Sequence, residues 1–160
     1  MDFCYLCCLE NEWGEHMKSH IIIHHSLTED GQTVSWGAIE RYHRETMGWE
    51  DVGYHAGVEL IGGEYYALFG RAEYRFAAAC KEGAMNQVGL HVCCVGNYDS
   101  IAPTDCMLNV LVRRVLAPWC DRYNIGAENI QGHRDYAHYK TCPGLLFDLN
   151  LVRDLVRRIL

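Results

Sequence analysis

The 160-residue chain lacks several features that define whole classes of protein. No stretch approaches the ~20 consecutive apolar residues that a membrane-spanning helix needs, so we predict no membrane insertion. Proline is scarce, at 3 residues, and internal repeats, low-complexity tracts and proline- or serine-rich linkers are missing. These absences favour one domain, and we expect residues 1–160 to form a single unit.

Positive charge is also scarce. The 14 Lys and Arg residues are outnumbered by 21 Asp and Glu residues, and the formal net charge is -7. A broad nucleic-acid surface needs a basic patch, so we predict no nucleic-acid partner. The hydrophobic fraction of 49% and the charged fraction of 22% are ordinary for a globular protein.

The first eight residues are apolar but too short for a signal peptide, have no basic n-region and run into acidic residues at positions 10, 12 and 15. We therefore expect synthesis in the cytoplasm without a signal peptide. The chain has nine cysteines, an odd number, which in that compartment indicates reduced thiols. Cys4 and Cys7 have the spacing of half a metal site, but no second pair completes it.

β-rich and helical patterns alternate along the chain. Five short apolar or β-branched runs bounded by turn residues predict strands at residues 21–24, 54–61, 65–69, 89–95 and 128–131. Apolar residues at helical spacing predict helices at residues 35–46, 104–123 and 149–160, with Ser35 capping the first. A turn is predicted around Asp30 and Gly31. The alternation predicts an α/β fold with a mixed central β-sheet flanked by helices on both faces.

Three short motifs carry residues suited to metal-assisted chemistry. They are His24-His25-Ser26, Gly132-His133-Arg134-Asp135 and Lys140-Thr141-Cys142-Pro143-Gly144. A catalytic zinc site needs three protein ligands and one open position for water, and His24, His133 and Cys142 would supply two imidazoles and a thiolate. Because side chains alternate on a strand, His24 and His25 lie on opposite faces, and periodicity alone does not choose between them. A hydrogen-bonded rim of the sheet is the alternative for this histidine pair.

Further motifs lie between these three in the chain. They are Gly53-Tyr54-His55, Phe69-Gly70-Arg71 and the run of residues 89–99. In this order the six motifs resemble the type 2 N-acetylmuramoyl-L-alanine amidases, a family that includes phage lysozyme-type amidases and animal peptidoglycan recognition proteins. The resemblance covers about residues 19–147. It implies an amidase core there, with an N-terminal extension at residues 1–18 and a C-terminal helix at residues 148–160.

The resemblance implies a zinc enzyme that hydrolyses the amide between the lactyl group of muramic acid and L-alanine in peptidoglycan. The family's zinc ligands match His24, His133 and Cys142. Its catalytic tyrosine, which follows a glycine and precedes a histidine, matches Tyr54. The lysine that phage members carry two residues before the ligand cysteine matches Lys140, which we interpret as a cation that stabilises the developing oxyanion.

The resemblance also implies contacts with a bound muropeptide. The four residues expected to make them are His25, His55, Arg71 and Asn86. Ala79 stands where family members often carry a groove histidine, and this departure bears on substrate preference. Within the loop that joins the second and third motifs, His138 is a rival ligand, and Asp135 is interpreted as a hydrogen-bond acceptor that fixes the loop.

Three functions are compatible with the motifs. Lys140 and the compact size favour a monomeric phage or prophage endolysin that acts on the bacterial cell wall after release from the cytoplasm. A recognition module that binds peptidoglycan without cutting it is the alternative, although such members often lose the cysteine that this chain keeps as Cys142. A cytosolic amidase that recycles anhydromuropeptides is the third, and that group usually carries aspartate at the cysteine position.

Overall fold

The protein folds around a five-stranded sheet. A computed structural model describes residues 17–28 and 35–160, and within them the strand order is β3-β2-β4-β1-β5. The strands are β1 (His20–His25), β2 (Ala56–Ile61), β3 (Glu64–Phe69), β4 (Gly89–Cys94) and β5 (Ile130–Gly132). β2 and β3 form an antiparallel hairpin, whereas β4 pairs in parallel with β2 and β1, and β1 pairs in parallel with β5. The sheet is therefore mixed, as predicted.

Five α-helices accompany the sheet in the described residues. They are α1 (Trp36–Arg41), α2 (Met85–Val88), α3 (Asp105–Leu111), α4 (Ala117–Tyr123) and α5 (Leu149–Arg157). A π-helical turn at Tyr42–Thr46 extends α1, and another at Val112–Leu116 joins α3 to α4, so the long helix predicted at residues 104–123 is confirmed as one helical stretch. Its N-cap is Thr104, and α1 has the predicted N-cap Ser35, whose side chain accepts a hydrogen bond from the Ala38 amide.

The two faces of the sheet pack against different helices. Ile21 and Ile23 of β1 face the main core, which the α3–α4 stretch and α5 complete. Ile22 points to the opposite face, where it packs with Cys80 and with Met85 of α2. Trp36 of α1 covers the same face. Helices thus flank both faces, as predicted, and His24 shares the face of Ile22 because side chains alternate along a strand.

Two sequence-based predictions concern residues beyond those described. The turn around Asp30 and Gly31, and the Cys4-x-x-Cys7 pair, lie outside residues 17–28 and 35–160. Across the described ranges, no helix combines the length and the apolar character that a bilayer crossing requires.

Candidate metal centre

Three predicted ligands converge at the carboxyl end of β1. His24 is the second-last residue of β1, His133 follows β5 directly, and Cys142 lies in the loop beyond. The parallel pairing of β1 with β5 aligns Ile23 with Gly132, so the histidines that follow them are neighbours. One ligand atom from each of the three side chains lies within 4.8 Å of the others. The residues are 1%, 6% and 9% exposed, respectively, so the cluster is almost closed to bulk water.

The spacing of these atoms fits a tetrahedral zinc ion. With zinc–nitrogen bonds of about 2.0 Å and zinc–sulfur bonds of about 2.3 Å, two ligand atoms on one tetrahedral ion lie about 3.6 Å apart. Sγ of Cys142 lies 3.7 Å from Nδ1 of His24. Three protein ligands leave the fourth tetrahedral position for water or substrate, which is the ligand count of catalytic zinc sites. The residues present therefore fit the metal.

The protonation states also suit a metal site. Burial, followed by the nearby His91, His133 and Lys140, lowers the pKa of His24 well below its usual value. Burial and then Lys140 lower the pKa of His133, so both imidazoles are neutral near pH 7. Burial raises the pKa of the Cys142 thiol to about 11. The backbone amide of His25 donates to this sulfur at 3.4 Å, and this contact opposes the effect of burial and favours the thiolate that a metal requires.

The loop that carries Cys142 is fixed by two charged side chains. The guanidinium of Arg134 donates to the backbone carbonyls of Gly144 and Phe147. The carboxylate of Asp99 accepts hydrogen bonds from the Thr141 hydroxyl and from the amide of Leu145, both at 2.8 Å. These contacts tie the loop to the segment after β4, so the thiol is held against β1 by more than its own packing.

A cavity of about 330 Å³ opens beside His133. Its lining includes Trp49, Lys81, Glu82, Asn86, Tyr139 and Lys140. The carboxylate of Glu82 accepts a hydrogen bond from the Tyr139 hydroxyl at 2.9 Å and approaches Nε2 of His133 at 3.9 Å. His133 therefore connects the buried ligand cluster to a groove that a polar substrate can enter.

Comparison with known proteins gives the family. The family model described as N-acetylmuramoyl-L-alanine amidase matches residues 15–145. The chain belongs to this amidase family. Human N-acetylmuramoyl-L-alanine amidase is 34% identical over 115 residues, which are 70% of this chain and 19% of the human protein. The chain thus spans about a fifth of the length of that relative.

Two solved structures of related fold are similar to this chain over most of its length. The endolysin N-acetylmuramoyl-L-alanine amidase LysCS from Clostridium intestinale superposes with a TM-score of 0.74 at 20% identity, covering 88% of this chain and 84% of LysCS. PGRP-SA of Apis mellifera superposes with a TM-score of 0.69 at 18% identity, covering 82% of this chain and 79% of PGRP-SA. These similarities confirm the predicted fold.

Tyr54 and Lys140, the two predicted catalytic residues of this amidase family member, flank the ligand cluster. The ring centroid of Tyr54 lies 5.2 Å from that of His24. Burial, followed by interactions with the Cys93 thiol, raises the pKa of Tyr54 well above its usual value, so its hydroxyl is a neutral donor. Lys140 is exposed and lines the cavity together with His133.

Of the four predicted substrate-binding residues, Asn86 lines the cavity and Arg71 does not. Asn86 lines the cavity, and its Oδ1 accepts hydrogen bonds from the backbone amides of Ala79 and Cys80, both at 2.8 Å. It therefore shapes the cavity wall. The guanidinium of Arg71 donates to three backbone carbonyls, including those of Val52 and Phe76, and it is not among the residues that line the cavity.

The other two predicted contacts lie apart from the cavity. His55 is 1% exposed, with Nε2 donating to the Arg75 carbonyl at 3.0 Å and Nδ1 accepting from the His91 amide at 2.9 Å. His25 faces away from the ligand cluster, and its Nδ1 accepts a hydrogen bond from the Tyr98 amide at 3.3 Å. The prediction that these two side chains bind substrate gains no support from their positions.

Several residues near the site were not singled out from the sequence. Cys80 and Glu82 form, with His133, a second group whose ligand atoms lie within 4.8 Å of one another, and both come from a loop without periodicity. His91 is fully buried and contacts His24. The sequence signal for His91 was its place as a polar residue within an otherwise apolar strand. The rival ligand His138 is exposed and belongs to neither ligand group found in the described residues.

Proposed function

We propose that this chain is a zinc-dependent amidase that hydrolyses the bond between the lactyl group of muramic acid and L-alanine in peptidoglycan. The observation that carries the proposal is the cluster of His24, His133 and Cys142, whose spacing fits zinc with one open position beside a cavity. Family membership and the name of the human relative support the same reaction.

The three ligands define the chemistry that the site supplies. Zinc bound there would activate a water molecule for attack and polarise the amide carbonyl. His24 and His133 can bind the metal without losing protons, because burial keeps both rings neutral. Cys142 must lose its thiol proton, and its anionic sulfur then offsets part of the positive charge of the ion.

Tyr54 and Lys140 act on the substrate from two sides of the cluster. The Tyr54 ring lies beside His24, and its neutral hydroxyl orients the attacking water or the amide carbonyl through a hydrogen bond. The ammonium group of Lys140 stabilises the negative charge that develops on the carbonyl oxygen. Its exposed position beside the cavity lets the side chain meet a substrate that enters from solvent.

We further propose that the protein is a phage or prophage endolysin that acts as a monomer on bacterial cell walls. The similarity in fold to the endolysin LysCS supports this role. The cavity, with lysine, glutamate and amide groups in its wall, suits a muropeptide, which carries amides, hydroxyls and carboxylates.

Product analysis on purified peptidoglycan tests the function. The protein is expected to bind about one zinc ion per chain and to release new L-alanine amino groups without new reducing sugar ends. Cys142→Ser should abolish both zinc binding and amine release. Cys106→Ser, at an exposed cysteine outside the cluster, is the matched control and should change neither. Tight peptidoglycan binding with no new amines would contradict the amidase and favour a recognition module, a possibility raised by the similar fold of PGRP-SA.

A further inference from the structure

His91 and His24 share a hydrogen bond on the buried face of the sheet that carries Ile22. His91 lies on β4, beside β1, and its side chain is 0% exposed. Nδ1 of His91 lies 2.9 Å from Nε2 of His24, and Nε2 of His91 lies 2.9 Å from the carbonyl oxygen of Met85. The mechanism proposed above makes no use of this pair of contacts.

The Met85 carbonyl fixes the direction of both hydrogen bonds. A carbonyl oxygen only accepts, so Nε2 of His91 carries a hydrogen. A neutral imidazole carries a single N–H, so Nδ1 of His91 is left as an acceptor. Nε2 of His24 is therefore the donor. A neutral imidazole has a single N–H, so Nδ1 of His24 is bare, and this is the atom that lies 3.7 Å from Sγ of Cys142.

Neighbouring groups keep His91 in the position that its hydrogen bond to His24 requires. Its backbone amide donates to Nδ1 of His55 at 2.9 Å. A side chain at Gly89 would come within 2.8 Å of Nε2 of His91 and even closer to the Met85 carbonyl, so glycine at this position leaves room for their hydrogen bond. The backbone of His91 and the space beside its ring are thus both set by neighbouring residues.

We propose that His91 is a positioning residue that holds His24 with Nδ1 free and aimed at the metal. The role rests on the proposed function, because it requires that His24 binds the ion. A ligand whose orientation and tautomer are set in advance needs no rearrangement when the metal arrives. Loss of such an outer hydrogen-bond partner typically weakens metal binding about 10- to 100-fold.

Two variants of nearly equal shape separate hydrogen bonding from packing. Asparagine at position 91 can present its amide oxygen near the position of Nδ1, whereas leucine fills a similar volume without an acceptor. His91→Leu is expected to lower zinc affinity about 10- to 100-fold in a chelator competition assay, and His91→Asn to recover most of that loss. Equal losses in both variants, or no loss in His91→Leu, would overturn the proposal. Circular dichroism of both variants monitors the fold.

The wild-type protein supplies a test that needs no variant. Long-range ¹H–¹⁵N spectra of the metal-free protein report which nitrogen of each histidine carries hydrogen. The hydrogen is expected on Nε2 of both His24 and His91, and finding it on Nδ1 of His24 would overturn the proposal. A wild-type protein that binds no zinc contradicts the metal centre and this role together. Unchanged zinc affinity in His91→Leu contradicts only the role of His91.

Discussion

The thiol sulfur of Cys142 lies 3.7 Å from Nδ1 of His24, close to the spacing of two ligands on one tetrahedral zinc ion. In the metal-free protein the thiol is protonated, because burial raises its pKa to about 11. A metal that enters the cluster must displace that proton. The contact therefore links metal affinity to pH.

Zinc affinity is predicted to rise about tenfold per pH unit from pH 7 to pH 9. One proton leaves Cys142 on binding, and none leaves His24 or His133, because burial keeps those rings neutral at these pH values. Competition with a chelator of known pH dependence measures the slope. A slope of zero would mean that the thiolate already exists, and a slope near two would mean that a second proton is released besides that of Cys142.

Tyr54→Phe is predicted to lower kcat by about 100-fold or more while leaving zinc content unchanged, because it removes a donor from beside His24. Activity on peptidoglycan and metal analysis provide the two readouts. Tyr74→Phe, at a tyrosine that is 66% exposed, is the control and should retain full activity. Full activity in Tyr54→Phe would remove the hydroxyl from the mechanism.

Lys140→Met is predicted to lower kcat by about tenfold or more, because the developing negative charge loses a cation that lines the cavity. Lys140→Arg keeps the charge and should recover part of the rate. Lys81→Met removes another cavity lysine and serves as the comparison. If the Lys81 and Lys140 variants lose activity equally, the effect is one of general charge, and the specific role of Lys140 is wrong.

The sequence predicted the sheet and the long helix well, because both depend on local apolar patterns. The alternation of side chains along β1 could not show whether His24 or His25 is the ligand, since the two point to opposite faces of the strand. The choice depends on the pairing of β1 with β5, which brings His133 to the face of His24. No local pattern encodes that long-range pairing, and the preference for His24 came from the resemblance of ordered motifs.

The cavity wall was harder to predict. Glu82 begins a single 3₁₀ turn, Glu82–Ala84, which is too short for helical or strand periodicity to indicate which side chains meet. His55 was expected to contact substrate, yet both of its ring nitrogens are used inside the fold. Its position next to the predicted catalytic Tyr54 in sequence therefore did not bring His55 to the cavity.

Gly144→Ala is predicted to weaken zinc binding by moving the Cys142 loop. Gly144 has a φ of +126°, and an added Cβ would overlap the main chain of Tyr98. We expect a loss of about 1–3 kcal/mol in unfolding free energy together with weaker zinc binding. Gly62→Ala, where φ is +60° and the space is open, controls for backbone strain alone and should leave zinc affinity unchanged. Equal zinc affinity in the two variants would contradict the loop's role.

Lys18 is predicted to make folding stability depend on pH in the alkaline range. Lys18 is 4% exposed, and its ammonium group donates to three backbone carbonyls, those of Arg75, Gln87 and Gly89. Burial lowers its pKa from 10.5 to about 8. Between these values the unfolded chain binds more protons than the folded chain, so this group makes the free energy of unfolding rise with pH, and below pH 8 its contribution is constant.

The Lys18→Met variant isolates this contribution. The unfolding free energy of the wild type minus that of the variant should increase by up to about 1 kcal/mol per pH unit above pH 8. Urea unfolding at pH 7, 8, 9 and 10 measures the difference. Lys81→Met, at an exposed lysine, should give a difference that does not change with pH. A constant difference for Lys18→Met would show that its pKa is not lowered.

Metal removal and replacement show whether the activity depends on zinc. The wild-type protein is stripped with a chelator, titrated with zinc and assayed for release of L-alanine amino groups from peptidoglycan at each step. No release is expected without metal, and full release is expected at about one equivalent of zinc. Undiminished release by the metal-free protein would contradict a zinc-dependent amidase built on His24, His133 and Cys142.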